Sequence, residues 1–201
     1  MDEILFEKYS GQIIVGIDEA GRGPLAGRVY AGAVILDKNN DIKGLDDSKK
    51  LSAEKRTFLY NEIKSKALAY GIGFATNEEV DNINILQATF LAMQRALDQI
   101  KVKFDYVLVD GNKYPFQIPG EAIVKGDSKI EAIMAASILA KVERDLFMDE
   151  MDSIYPQYQF KQHKGYPTKL HIDLIKKYGP SPIHRRTFKG VKEYIWMHSS
   201  C

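Results

Sequence analysis

Short apolar runs that break off at an acid and a glycine constrain this chain more than any other feature. Residues 13–17 (IIVGI) lead into Asp18 and Glu19 and then the turn Gly21-Arg22-Gly23-Pro24. Residues 105–109 (DYVLV) lead into Asp110-Gly111, and the brief run 122–124 leads into Lys125-Gly126-Asp127. Runs this short and this apolar read as buried strands, and 29–36 and 67–76 read the same way. Helical patterns alternate with them. Ser52 is placed to cap a helix over 55–63, and a strongly periodic stretch covers 84–100. Further helices are expected from 130 to about 151 and from about 168 to 178. Ala135, Ala136, Ser137 and Ala140 would let the third of these lie close against a sheet. Such alternation predicts an α/β sandwich, and a hairpin between the first two strands makes its central sheet mixed. No repeat, low-complexity stretch or linker interrupts the chain, so 1–201 reads as one domain, with about 160–201 as a helical C-terminal appendage.

Composition narrows the class. A length of 201 residues suits one domain with a sizeable core. No apolar run approaches the roughly 18 residues of a membrane span, and the acidic start MDEILFEKYSG does not resemble a secretory signal. The one cysteine, Cys201, is the last residue, which excludes a disulfide framework. A cytoplasmic protein is therefore expected. The net charge of +1 hides an asymmetry: residues 161–192 hold nine Lys/Arg against the single acid Asp173, a surplus of eight that leaves the remainder at −7. The basic residues are interleaved with Tyr166, His171, Tyr178, His184 and Phe188, which could stack on bases or sugars, so the segment is expected to meet a polyanion. The last residues, 196–201, read as a short loose tail.

The acids carry the chemistry. Each taken alone has an ordinary explanation: a solvated strand end for Asp18 and Glu19, an Asp-Gly turn for Asp110, a helix cap for Asp127. Together they place carboxylates at the carboxyl ends of three strands, the edge where open α/β sheets assemble their sites. Four carboxylates in one place do not all stay ionised without cations, and oxygen-only ligands suit Mg²⁺ or Mn²⁺. Two ions in such a cluster would support in-line hydrolysis of a phosphodiester. Neighbours on a strand point to opposite faces, so Asp18 and Glu19 would share one centre only if the strand ends or bulges between them.

Seven blocks in order carry a resemblance to bacterial ribonuclease HII, the type 2 ribonuclease H: IDEAGRGPLAG at 17–27, DDSKKLS at 46–52, LVDGN at 108–112, VKGDSK at 124–129, AASILAKVERD at 135–145, HKGYPT at 163–168 and GPSPIHRRTF at 179–188. The resemblance spans roughly residues 10–195. It implies a ribonuclease H-like fold and an endonuclease that hydrolyses the RNA strand of RNA–DNA hybrids. It also implies nicking of duplex DNA on the 5′ side of an embedded ribonucleotide, leaving 3′-hydroxyl and 5′-phosphate ends, as in ribonucleotide and RNA-primer removal. The acidic quartet would be Asp18, Glu19, Asp110 and Asp127, holding two Mg²⁺ or Mn²⁺ ions. Gly21-Arg22-Gly23 would contact the ribose 2′-hydroxyl side of the junction and Tyr166 would stack beside that sugar. Lys49 would contact phosphate near the scissile bond, and Lys164, Arg185 and Arg186 would hold the nucleic-acid backbone. A monomer is expected, and no segment for docking a sliding clamp is evident. Asp145 is assigned to a helix surface. Arg28-Val29-Tyr30 departs from the proline and small apolar residues usual after PLAG; Arg28 could touch DNA or face solvent.

Overall fold

The computed structural model describes residues 8–9 and 11–195; the expected tail at 196–201, with Cys201, lies outside them. Five strands form one mixed sheet: β1 (Ile14–Ala20), β2 (Val29–Ile35), β3 (Ala69–Ala75), β4 (Tyr106–Asp110) and β5 (Gly120–Ile123). Their order is β3-β2-β1-β4-β5, antiparallel from β3 to β1 and parallel from β1 to β5. The helices are α1 (Ala53–Lys66), α2 (Asn77–Leu97), α3 (Glu131–Ile154), the single turn α4 (Phe160–His163) and α5 (Lys169–Tyr178).

The two faces of the sheet are fixed by alternation. Val15, Ile17, Ala31, Ala33, Val107 and Val109 bury one face against Val80, Ala88, Ala92 and Ala96 of α2. Val34, with Tyr70 and Ile72, meets Leu59 and Ile63 of α1 and Ala135, Ala136 and Leu139 of α3 on the other. Small residues set the spacing. A Cβ on Gly16 would stand 2.3 Å from the Ala132 carbonyl carbon, and one on Gly32 would stand 2.4 Å from the Ala136 oxygen. The alanine-rich stretch of α3 therefore lies directly on the two central strands, as its composition predicts.

Local signals place the ends. Ser52 accepts from the Lys55 amide and caps α1, and Thr168 caps α5 by accepting from His171. The periodic stretch begins earlier than expected, at Asn77, because Thr76 and Glu79 form a reciprocal capping box. The expected start at Asn84 coincides with a kink: Asn84 has φ 65° and its side chain accepts from the amides of Leu86 and Gln87, opening the second half of α2. Among the described residues no helix is long and apolar enough to cross a membrane.

Candidate metal centre and nucleic-acid face

β1 and β4 run parallel with Ile17 opposite Val109, so Asp18 and Asp110 follow at the same level on neighbouring strands. Past β5 the chain turns through Lys125, at φ 58°, into a 3₁₀ turn at Gly126–Ser128. That turn brings Asp127 back over the sheet edge, where its amide donates to Asp110 Oδ1 at 3.3 Å. Carboxylate oxygens of Asp18, Asp110 and Asp127 then lie within 4.8 Å of one another. Asp18 is 4% and Asp127 7% exposed.

Three acids packed so closely oppose each other's ionisation. Burial pushes the Asp18 carboxyl well above its usual range, and the charges of Glu19 and Asp110 push it further. Burial and then Asp127 raise Asp110. The relief on hand is small. The Glu19 amide donates to Asp18 Oδ1 at 2.7 Å, Ser137 of α3 adds a hydrogen bond, and Lys49 Nζ donates to Asp127 Oδ2 at 3.2 Å. A buried, oxygen-only cluster short of positive charge is the donor set of a hard divalent cation.

Glu19 departs from the condition set by the sequence. The register Gly16↔Val34 to Ala20↔Tyr30 is unbroken, so β1 neither ends nor bulges between Asp18 and Glu19. Alternation turns Glu19 away from the three aspartates, and Arg22 Nη1 donates to its Oε1 at 3.3 Å. Burial raises its pKa while Arg22 opposes the shift, and Asp110 still acts on it.

The expected nucleic-acid contacts separate into two groups. Arg22, Gly23, Lys49, Tyr166 and Arg186 are exposed. Tyr166 stands over the glycine turn: a Cβ on Gly23 would lie 3.8 Å from Tyr166 Cε1. Lys164 is half-buried in an ion pair with Asp149, its backbone at φ 49°. Arg185 is a correction, because its side chain is fully buried. Its Nη2 donates to the Gly21 carbonyl at 2.6 Å, its Nη1 to those of Arg22 and Pro24 at 3.0 and 2.8 Å, and its Nε to that of Gly27 at 3.0 Å. Arg185 therefore holds the turn 21–27 from beneath, spends four of its five N–H donors on backbone carbonyls, and is buried away from any phosphate. Burial, with the nearby charge of Arg144, lowers its pKa to about 9. His171 and His184 are likewise buried and have no face free for stacking. Arg28 lies between the rings of Phe74 and Phe147, 4.1 and 4.6 Å from their centroids, in a cation–π sandwich. Asp145 pairs with Lys141 along α3 at 2.6 Å.

Arg144, one residue earlier, was missed by sequence reading. It is 1% exposed, donates through Nη2 to the carbonyls of Ala26 and Lys164, and lies 5.7 Å from the Tyr166 ring. Gly21, at φ +98°, is required here, since a Cβ would stand 2.2 Å from Arg144 Nε. The signal was an arginine on the inner face of a helix read as core. A cavity of about 790 Å³ opens at the far end of the sheet beside Ile13, Leu36 and Leu68, and none of the four acids lines it.

A family model described as Ribonuclease HII matches residues 15–191. A protein of Marinomonas sp. (strain MWYL1) named Ribonuclease HII is 54% identical over 197 residues, 97% of this chain and 99% of that protein. The crystal structure of ribonuclease H2 from Pyrococcus horikoshii OT3 superposes with a TM-score of 0.75 at 28% identity, covering 90% of this chain and 96% of that one. That of Bst-RNase HIII in complex with Mn²⁺ superposes with a TM-score of 0.70 at 16% identity, covering 96% and 72%, a likeness of fold.

Proposed function

The chain belongs to the ribonuclease HII family, ribonuclease H endonucleases acting on RNA–DNA hybrids, and from that premise we propose that Asp18, Glu19, Asp110 and Asp127 are its metal-holding acids. The observation that carries this reading is the convergence of three aspartate side chains within 4.8 Å at one end of the sheet. Their donor set fits Mg²⁺ or Mn²⁺, and Mn²⁺ is bound in the Bst-RNase HIII structure of like fold. When bound, two such ions would activate a water for in-line attack on the phosphodiester and neutralise charge on the departing 3′ oxygen. Glu19, set apart from the three aspartates by strand alternation, would complete the quartet only by releasing Arg22 and turning toward the cation, and Arg22 would then be free to meet phosphate. Lys49, held beside Asp127 and otherwise exposed, would contact phosphate near the scissile bond.

Selectivity for ribose rests on the turn Gly21-Arg22-Gly23 and on Tyr166 above it. The 2′-hydroxyl is the only group that separates RNA from DNA at one nucleotide, and glycine lets backbone groups approach it. Arg186 and Lys164 would position the nucleic-acid backbone without reading sequence. The enzyme is then expected to nick duplex DNA on the 5′ side of a single embedded ribonucleotide, leaving 3′-hydroxyl and 5′-phosphate ends.

The test is cleavage of a labelled DNA duplex carrying one ribonucleotide beside an all-DNA duplex, each with Mg²⁺ and with chelator. A metal-dependent nick at the ribonucleotide alone supports the reading. Equal cutting of both duplexes would remove the roles of Tyr166 and the glycine turn.

A further inference from the structure

Three buried histidines lie behind Tyr166. His163, His171 and His184 are 6%, 0% and 1% exposed. The rings of His163 and His171 stack at 4.2 Å, and His184 lies 5.1 Å from His171. Their partners fix the tautomers. The Gly165 amide donates to His163 Nδ1 at 3.2 Å, so His163 Nε2 carries the proton and donates to the Tyr158 carbonyl at 2.8 Å. A carbonyl only accepts, so His171 Nδ1, 3.0 Å from the Tyr166 oxygen, carries a proton and leaves its Nε2 bare. The Ser181 amide donates to His184 Nδ1 at 2.8 Å, so His184 Nε2 carries a proton and donates to that bare nitrogen at 3.0 Å. A directed chain results: Ser181 to His184, His184 to His171, His171 to the Tyr166 carbonyl.

The chain ends on the residue assigned to the sugar. Tyr166 is 44% exposed and follows two residues of positive φ, Lys164 at 49° and Gly165 at 81°. A backbone of that shape keeps its course only if its surroundings determine it. His163 holds the Gly165 amide and His171 holds the Tyr166 carbonyl, so the peptides on either side of the Gly165–Tyr166 step are both anchored to imidazoles. The same segment carries Arg185, the residue after His184, which holds the glycine turn. Adjacent buried residues, His184 in the histidine chain and Arg185 under the glycine turn, thus bear on Tyr166 and on the turn it stands over.

We propose that His171, oriented by His184, is a positioning residue for Tyr166 that sets the height of its ring over Gly23. The proposal rests on the reading of Tyr166 as the sugar-contacting side chain. Shape separates the variants. In His171→Asn the amide nitrogen replaces Nδ1 and can keep the bond to Tyr166; in His171→Gln the amide oxygen replaces the bare Nε2 as acceptor and keeps only the His184 side. At position 184 the pattern reverses: His184→Gln keeps the donor to His171, and His184→Asn keeps only the Ser181 side.

The experiment is kcat and KM on an RNA–DNA hybrid for all four variants, in the native and the Tyr166→Ala background, with thermal unfolding of each. His171→Gln and His184→Asn are expected to lower kcat about tenfold with KM little changed, while in the Tyr166→Ala background each changes it by less than about twofold. His171→Asn and His184→Gln are expected to stay within about threefold of the parent in both backgrounds. Equal losses for Asn and Gln at each position, or the same loss with and without the Tyr166 ring, would overturn the proposal in favour of a plain structural role. The reading beneath it fails separately and visibly: Tyr166→Ala alone would then cleave the hybrid at the parent rate, before any histidine is changed. The crossed pattern needs only one of the two positions to tolerate substitution, so a variant that does not fold at 171 leaves the pair at 184 to decide.

Discussion

The two ends of the polar machinery solve opposite problems. At the carboxyl edge of β1 and β4, three aspartates are pressed together with little positive charge among them, and burial raises Asp18 and Asp110. In the segment 161–192 the surplus is positive, yet its most buried members are neutral imidazoles and an arginine that spends four donors on backbone carbonyls. The first region gathers like charges with little to balance them; the second is satisfied internally and holds a loop still. Charge in a sequence therefore marks two different things, a ligand site where like charges converge and a clamp where a charge meets dipoles.

The widest gap between the regions is expected on removing one charge from each. Asp110→Asn should lower hybrid cleavage by more than about a thousandfold while leaving thermal stability equal or higher, since it relieves repulsion in the metal-free protein. Near-normal turnover of that variant would break the comparison at its acidic end. Arg185→Met should do the reverse to stability, costing about 3–5 kcal/mol by stranding four carbonyls, measured by urea unfolding. A loss below about 1 kcal/mol would mean those carbonyls find water instead.

How far these regions were legible differs for the same reason. The five strands, the mixed sheet and the alanine-rich face of α3 follow from periodicity, because burial on a sheet leaves a repeating trace. Asp18, Asp110 and Asp127 were legible because each follows a short apolar run, and strand order with the turn after β5 brings them together. Glu19 was harder: its place depends on whether β1 continues, and the ladder to β2 carries it past Asp18 without a break. The C-terminal segment was read by charge alone, which does not say which side chains turn inward. Arg185 and Arg186 are adjacent and identical in sequence, yet one is buried and the other exposed. The Ala26↔His184 bridge and the Arg185 amide on the Leu25 carbonyl turn the first inward, while the Arg186 amide is held by Asp81 at the surface.

pH sharpens the contrast. Burial, with the neighbouring imidazole charges, lowers His171 to about 4 and His184 to about 3, against an ordinary 6.5. Above pH 6.5 folded and unfolded chains are both neutral at these rings. Below it the unfolded chain takes up protons that the folded one refuses, so stability falls as pH drops. Between pH 6.5 and 5 the two rings together should remove about 3 kcal/mol, read as a falling urea midpoint. The double variant His171→Asn, His184→Gln should show a shallower slope; an unchanged slope would assign the acid sensitivity elsewhere.

The smallest effects compare two glycines of one turn. Gly21→Ala, at φ +98° and against Arg144, should cost about 2 kcal/mol. Gly23→Ala meets only the Tyr166 ring at 3.8 Å and should change stability by less than about 0.5 kcal/mol. If Gly23 faces the sugar, that same variant should still slow cleavage of the hybrid.

The most direct measurement is a titration of Mg²⁺ or Mn²⁺ into metal-free protein, following thermal unfolding and hybrid cleavage in the same samples. An ion that binds only the folded state raises the midpoint as it fills the site. The account predicts that the midpoint and the cleavage rate rise over one range of metal concentration, and that Asp110→Asn loses both responses. Cleavage that persists in chelator, or a full metal response in Asp110→Asn, would contradict the assignment of the aspartate cluster as the metal centre.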